Sequence, residues 1–303
     1  MTRYFDAELI GKYSQSGPRY TSYPTAVEFH DRFTAADYVR HLEVGNAAGR
    51  DLSLYVHIPF CEHVCYYCGC NKIITRNHDQ SDEYLDQLER DIARQAAHID
   101  PSRRVIQLHL GGGTPTFLNH TQLRRLLAIL HEHFPRFAAD DAGEYSIEID
   151  PRTVSPDDLR FLRELGFNRV SFGVQDFDPA VQKAVNRIQG FEHVRDTIAA
   201  ARDAGYHSIS ADLIYGLPLQ TVRTFSRTLE QIRALAPDRL AVFNYAHMPH
   251  IFGAQKQINA ADLPDAATKL QLLQATIEQL TGGGYEFIGL DHFALPGDSL
   301  VLT

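Results

Sequence analysis

From residue 52 onward, short apolar runs alternate with amphipathic stretches, and this rhythm restricts the fold more than any other feature of the chain. Extended runs are read at 52–58, 105–110, 144–149, 169–174, 208–214 and 239–245. Between them lie helical patterns at 80–98, 121–134, 155–165, 190–204 and 221–235, with apolar residues near i, i+3, i+4 and i+7. A further helix is predicted over 262–280. Ser155-Pro156-Asp157 has the chemistry of a helix start, and Gly166 and Gly205 of helix stops. Such alternation means an α/β fold, with a parallel sheet and crossover helices. Six units suit an incomplete (β/α)6 barrel or a doubly wound sheet, and periodicity does not separate the two. The first fifty residues lack the rhythm. They read as an irregular N-terminal arm (1–50), with a loop or wrapping segment at 14–26, ahead of a core over 51–303.

Hydrophobic residues make up 44% of the 303, enough to build a core, and the formal charge of −9 argues against a general nucleic-acid binder. No run approaches the roughly 20 apolar residues of a membrane helix. The start has no basic region followed by an apolar stretch, so no secretory leader is expected. All four cysteines fall between residues 61 and 70. A disulfide framework would spread its cysteines to close long loops; clustered thiols point to metal or redox chemistry in a reducing, cytoplasmic compartment.

Cys61, Cys65 and Cys68 follow the first extended run with C-x3-C-x2-C spacing. Three thiolates can hold three corners of a cubane cluster and leave one iron open for another ligand. The other reading is a structural zinc, with Cys70 or His63 as fourth ligand, although zinc knuckles prefer paired C-x2-C units. Gly111-Gly112-Gly113-Thr114 follows the second run, where an α/β fold places ligands and glycine permits close backbone approach. It is neither GxGxxG nor a P-loop, and an ordinary tight turn is the plainer reading. Glu148 and Asp150, Gln175 and Asp176, and Asp212 fall at or past the ends of later runs. Each could face a ligand at a barrel mouth or serve as a loop residue or helix cap. Arg187 could pair with a ligand carboxylate. His57, four residues before Cys61, could donate a proton beside a cluster or belong to the core.

The cysteine spacing, with an aromatic residue at Tyr67, is similar to that of radical S-adenosylmethionine (SAM) enzymes. Residues 55–77, YVHIPFCEHVCYYCGCNKIITRN, closely resemble the oxygen-independent coproporphyrinogen III oxidases, the radical SAM enzymes (coproporphyrinogen dehydrogenases) of haem biosynthesis. Segments 16–26, 108–118, 146–154, 171–177, 212–218 and 245–249 share the likeness, which covers essentially the whole chain. The resemblance implies a curved, incomplete (β/α)6 radical SAM barrel. It implies that Cys61, Cys65 and Cys68 ligate a [4Fe–4S] cluster and that Cys70 does not. Two SAM molecules are implied. Tyr55, Gly112 and Glu148 would contact the one on the cluster, and Tyr67, Gly113, Thr114, Gln175, Arg187, Asp212 and Ala246 the second.

The implied reaction turns two propionates of coproporphyrinogen III into vinyl groups, giving protoporphyrinogen IX. Each propionate loses a β-hydrogen, CO2 and an electron. That C–H bond is not acidic, so a carbon radical must take the hydrogen. An electron donor and a final acceptor are implied but not identified. Basic residues, Arg19 among the candidates, would meet the substrate's carboxylates. No membrane or nucleic-acid partner is expected, and a monomer is. The alternative is a haem-binding or haem-trafficking protein without decarboxylase activity, against which Cys70 directly after Cys68-Gly69 argues. Family members continue past residues 291–296 into a helical C-terminal domain, and this sequence stops at Thr303, so a chain without that domain is expected.

Overall fold

The structure, a computed structural model, describes residues 5–13 and 28–302. The 14–26 segment and Arg19 lie outside the described residues. Among the described residues ten strands follow one another: β1 (Leu52–Ile58), β2 (Phe60–Cys61), β3 (Ile73–Ile74), β4 (Val105–Gly112), β5 (Glu144–Ile149), β6 (Arg169–Gln175), β7 (Ser208–Tyr215), β8 (Arg239–Asn244), β9 (Glu286–Gly289) and β10 (His292–Ala294). Eight of them form one sheet in the order β1-β4-β5-β6-β7-β8-β10-β9, while β2 and β3 make a separate parallel pair. The six long strands pair parallel and in chain order. A doubly wound sheet reverses its order at a switch point, whereas winding in one direction makes a barrel. Among the described residues the sheet ends at β1 and β9 without pairing them, so this barrel wall is open. That resolves the ambiguity left by periodicity in favour of the incomplete (β/α)6 barrel.

The helices are α1 (Ala7–Tyr13), α2 (Ala35–Ala47), α3 (Gln80–Ala96), α4 (His120–His133), α5 (Pro156–Glu164), α6 (Pro179–Ala184), α7 (Phe191–Asp203), α8 (Val222–Leu235), α9 (Ala266–Gly282) and α10 (Ser299–Leu302). Local chemistry explains their ends. Asn119 and Gln122, and Ser155 and Asp158, cap α4 and α5 reciprocally. The arm expected to be irregular is helical at α1 and at α2, which Thr34 and Asp37 cap in the same way. The predicted 262–280 helix starts later: Pro264 precedes Asp265, whose side chain accepts from the Thr268 backbone N–H at 2.8 Å and caps α9. The β9–β10 hairpin, antiparallel on β8, was not foreseen, because its apolar runs are short.

Alternation along the strands sets the two faces of the barrel wall. Tyr145, Ile147 and Ile149 of β5 and Val170, Phe172 and Val174 of β6 are buried towards the helices. Glu144, Ser146 and Glu148, and Arg169, Ser171 and Gly173, take the other face. Parallel strands buried on both sides read as continuous apolar runs. Here one face is polar, so the barrel interior is built for polar contacts and the apolar core lies between sheet and helices.

Candidate active site

A cleft of about 480 Å³ opens at the carboxyl ends of the parallel strands. Its first wall is the cysteine loop after β1 and β2. This loop is fixed against the glycine turn that ends β4. Gly113 N–H donates to the Ile58 carbonyl at 2.8 Å, Thr114 N–H to the Phe60 carbonyl at 2.8 Å, and the Thr114 hydroxyl meets Cys61 Sγ at 3.4 Å. A Cβ on Gly113 would lie 2.7 Å from the carbonyl oxygens of Pro59 and Phe60, and Gly112 has φ +120°. Only glycine allows this approach.

The three thiols of the motif differ. Cys65 is buried, with Arg187 Nη1 at 3.6 Å and Arg152 Nη2 at 3.9 Å from its sulfur. Burial pushes the Cys61 thiol up. Hydrogen bonding from Cys70, with help from Lys72, favours the Cys68 thiolate against the opposing effect of burial and brings it to about 6. Cys70 pays the reciprocal penalty and is pushed up by the same contact. Among the described residues no group of three or more His, Cys, Asp or Glu side chains is placed to hold a single metal ion.

The second wall comes from the strand ends. Glu148 Oε1 accepts from His109 Nε2 at 3.0 Å and its Oε2 from the Gly112 N–H at 3.2 Å, so the carboxylate is held from both sides. Asp212 accepts from the Ser171 hydroxyl at 3.1 Å, and burial, reinforced by the charge of Glu148, raises it to about 7. Gln175 closes β6 with φ +69°, a left-handed conformation where the register with β7 shifts. Arg187 reaches in from the loop after α6, donating to the Gly173 carbonyl and, at 3.1 Å, to Asp150. Asp150 also receives Arg152 through two nitrogens, Nε at 3.0 Å and Nη2 at 2.6 Å. Burial alone would raise Asp150, but the two arginines hold it below the usual carboxylate range. The loop after β8 completes the rim: Gln255 donates to the carbonyls of Tyr67 and Ala246 at 3.0 and 3.2 Å.

The structure thus brings Cys61, Cys65, Cys68, Tyr67, Gly112, Gly113, Thr114, Glu148, Gln175, Arg187, Asp212 and Ala246 onto one cleft. Three candidates, Tyr55, His57 and Asp176, lie apart from its lining. Tyr55 is 60% exposed on β1 and stacks on His109 at 5.7 Å. His57 contacts the Tyr55 hydroxyl at 3.0 Å and the Asn71 carbonyl at 2.8 Å, so both ring nitrogens are engaged. The ring is half-buried against the Gly112 turn, beside the lining of the cleft. Asp176, at 1% exposure, accepts from Thr228, Gln220 and the Asp178 N–H, as a structural carboxylate does. Sequence reasoning missed His109, Arg152 and Gln255. Their lone polar types carry no spacing signal, although His109 stands two residues before the glycine turn.

The Radical SAM superfamily model matches residues 55–232. An oxygen-independent coproporphyrinogen III oxidase from Pseudomonas aeruginosa is 55% identical over 98% of this chain, and that of Escherichia coli 52% identical over 99%. Each alignment spans 64% of the relative's own length. A solved structure described as coproporphyrinogen III oxidase (HemN) from Escherichia coli, a radical SAM enzyme, is 51% identical and superposes with a TM-score of 0.90, covering 98% of this chain and 66% of that one.

Proposed function

The chain belongs to the Radical SAM superfamily, and on that premise we propose that it carries the cofactor-binding core of an oxygen-independent coproporphyrinogen III oxidase. The observation that carries this reading is the convergence of three thiols, a glycine turn, Glu148 and Asp212 on one cleft. In it, Cys61, Cys65 and Cys68 hold a [4Fe–4S] cluster. The donor set fits: three soft thiols share one mouth, as three corners of a cubane cluster require. Cys70, two residues past Cys68 and outside the C-x3-C-x2-C spacing, is the thiol left out of this reading. Gly112 and Glu148 would face the SAM on the cluster, with Tyr55 behind His109. Tyr67, Gly113, Thr114, Gln175, Arg187, Asp212 and Ala246 would surround a second SAM. Two buried polar atoms on this wall, Gln175 Oε1 and Arg187 Nε, have no hydrogen-bond partner among the described residues, which fits a polar ligand.

When bound, the cluster and SAM together supply a primary carbon radical able to take hydrogen from an unactivated C–H bond. The protein's part is positional. His109 and the Gly112 N–H fix the Glu148 carboxylate, Arg152 and Arg187 keep Asp150 ionised, and the glycine turn sets the cysteine loop against β4. The names of the relatives support decarboxylation over haem trafficking. Coproporphyrinogen III is the proposed substrate, served by a separate one-electron donor and an acceptor. Among the described residues no helix is long and apolar enough to cross a membrane; a cytoplasmic monomer is proposed.

The test is anaerobic incubation of the reconstituted chain with dithionite, SAM and coproporphyrinogen III, measuring 5′-deoxyadenosine and tetrapyrroles together. Deoxyadenosine with vinyl product is expected. Deoxyadenosine without vinyl product would remove the substrate assignment, and neither product would remove the radical reading.

A further inference from the structure

The three candidate ligand thiols sit in unlike electrostatic surroundings. Cys61 meets a neutral hydroxyl, that of Thr114. Cys68 receives the Cys70 backbone N–H and lies near a single cation, the Lys72 ammonium, which donates to the carbonyls of Cys68 and Cys70 at 3.1 and 3.3 Å. Cys65 is touched by two guanidinium groups. Both are anchored on Asp150, whose side chain is 9% exposed, against 8% for Arg187 and 24% for Arg152. Two cations share one anion, so a net single positive charge is fixed against a buried sulfur where little water screens it.

We propose that the Asp150–Arg152–Arg187 trio sets the reduction potential of the iron–sulfur cluster through Cys65, with Arg152 the tuning residue; the inference rests on the cluster reading above. One-electron reduction by an external low-potential donor adds one electron to the cluster, breaks no bond and moves no proton. The reduced form carries one more negative charge. A fixed positive charge at a ligand sulfur stabilises it over the oxidised form and raises the potential. Arg187 also faces the proposed SAM site, so its replacement would mix two effects. Arg152 lies behind Asp150, outside the lining of the cleft. Without Arg152, Asp150 keeps Arg187 and the trio falls to net zero. Without the Asp150 carboxylate, it rises to two positive charges.

The trio therefore predicts shifts of opposite sign, which a merely structural role would not produce. The experiment is a redox titration of the anaerobically reconstituted full chain, without SAM, followed by the EPR signal of the reduced cluster. Iron and sulfide are counted in wild type, Arg152→Gln, Arg152→Lys and Asp150→Asn. At a fixed potential, Arg152→Gln should lower the reduced-to-oxidised ratio by about tenfold, equivalent to 59 mV for one electron. Arg152→Lys should restore most of it, and Asp150→Asn should raise it. Should Arg152→Gln fail to load a cluster, Asp150→Asn decides alone: an unchanged or lowered ratio overturns the proposal. Loaded Arg152→Gln that titrates with wild type overturns it as well. A wild-type chain that binds no four-iron cluster removes the cluster reading itself, a result distinct from unchanged potentials.

Discussion

Asp212 lies on a strand whose neighbours Ala211 and Leu213 are fully buried, and among the described residues its carboxyl has one donor, Ser171. Burial pushes that carboxyl up to about 7, and this has a thermodynamic consequence. Between the ordinary carboxylate value near 3.9 and 7, the native chain holds a proton that the unfolded chain has lost. Stability therefore falls as pH rises through that window and levels off above it. Asp212→Asn keeps an oxygen for Ser171 and removes the titration. In the cofactor-free chain it should gain about 2 kcal/mol over wild type at pH 8, allowing for water in the cleft, and little at pH 4. Thermal unfolding across pH checks this; an equal effect at both pH values would contradict the assignment. The thiols give a second residue-scale contrast. Cys65→Ala should abolish reconstituted iron, whereas Cys70→Ala should retain it, as read by iron and sulfide content. At this scale the sequence was only partly legible. The C-x3-C-x2-C spacing is a local pattern that needs no fold to be read. Asp176 and Asp212 look alike at their strand ends, and only packing separates them: Thr228 and Gln220 turn Asp176 into the core, while Asp212 faces the cleft.

The turn that ends β4 shows how an element carries the site. The predicted strand, 105–110, stops short of the real one, which continues in parallel pairing with β1 through Gly111 and Gly112. Glycines read as a turn from sequence alone, because their conformational freedom is a local property. Their pairing with the chain around His57 and Ile58 is a long-range contact that no local pattern encodes. The two-residue strands β2 and β3 escaped for the same reason: Phe60 and Cys61 align with Ile73 and Ile74 only once the cysteine loop has closed. Gly113→Ala would force a methyl carbon against two backbone carbonyls that cannot swing aside. A destabilisation of about 2 kcal/mol or more is expected, together with loss of reconstituted iron. Gly253→Ala, with nothing within 4 Å of the added carbon, should leave both unchanged. Iron content and thermal unfolding of the two variants, side by side, separate a fault in this turn from a general glycine effect.

Across the whole molecule the barrel has two mouths, and the polar interior face serves both. The upper mouth holds the cysteine cleft. The lower end is tied by Arg169 and Arg239 to Glu144 of β5 and to residues near Thr303: Arg239 Nε donates to Asp298 at 2.8 Å and its Nη2 to Ser299 at 2.9 Å, and Ser299 donates to Glu144 at 2.9 Å. The alternation of helices and strands made the six-unit barrel legible, because that rhythm repeats. This closure was not legible, because it joins residues 155 positions apart through single side chains. Asp298 is 7% exposed in its side chain and keeps two arginines from facing each other with one carboxylate between them. Burial opposes its ionisation, but the bond from Arg239 outweighs this and holds its pKa below the ordinary value. A depressed carboxylate contributes stability above its unfolded value, and that contribution is lost as pH falls through the folded one. Asp298→Ala should therefore cost about 2 kcal/mol near pH 7, a loss of several degrees in Tm. The gap to wild type should begin to close as pH drops below about 4, where the unfolded carboxylate takes up its proton, and go on closing as pH falls through the lower native value. A gap that stays constant down to pH 3 in thermal or urea unfolding would mean that Asp298 acts through packing, and the lower mouth would then be held by Ser299 and the hairpin instead.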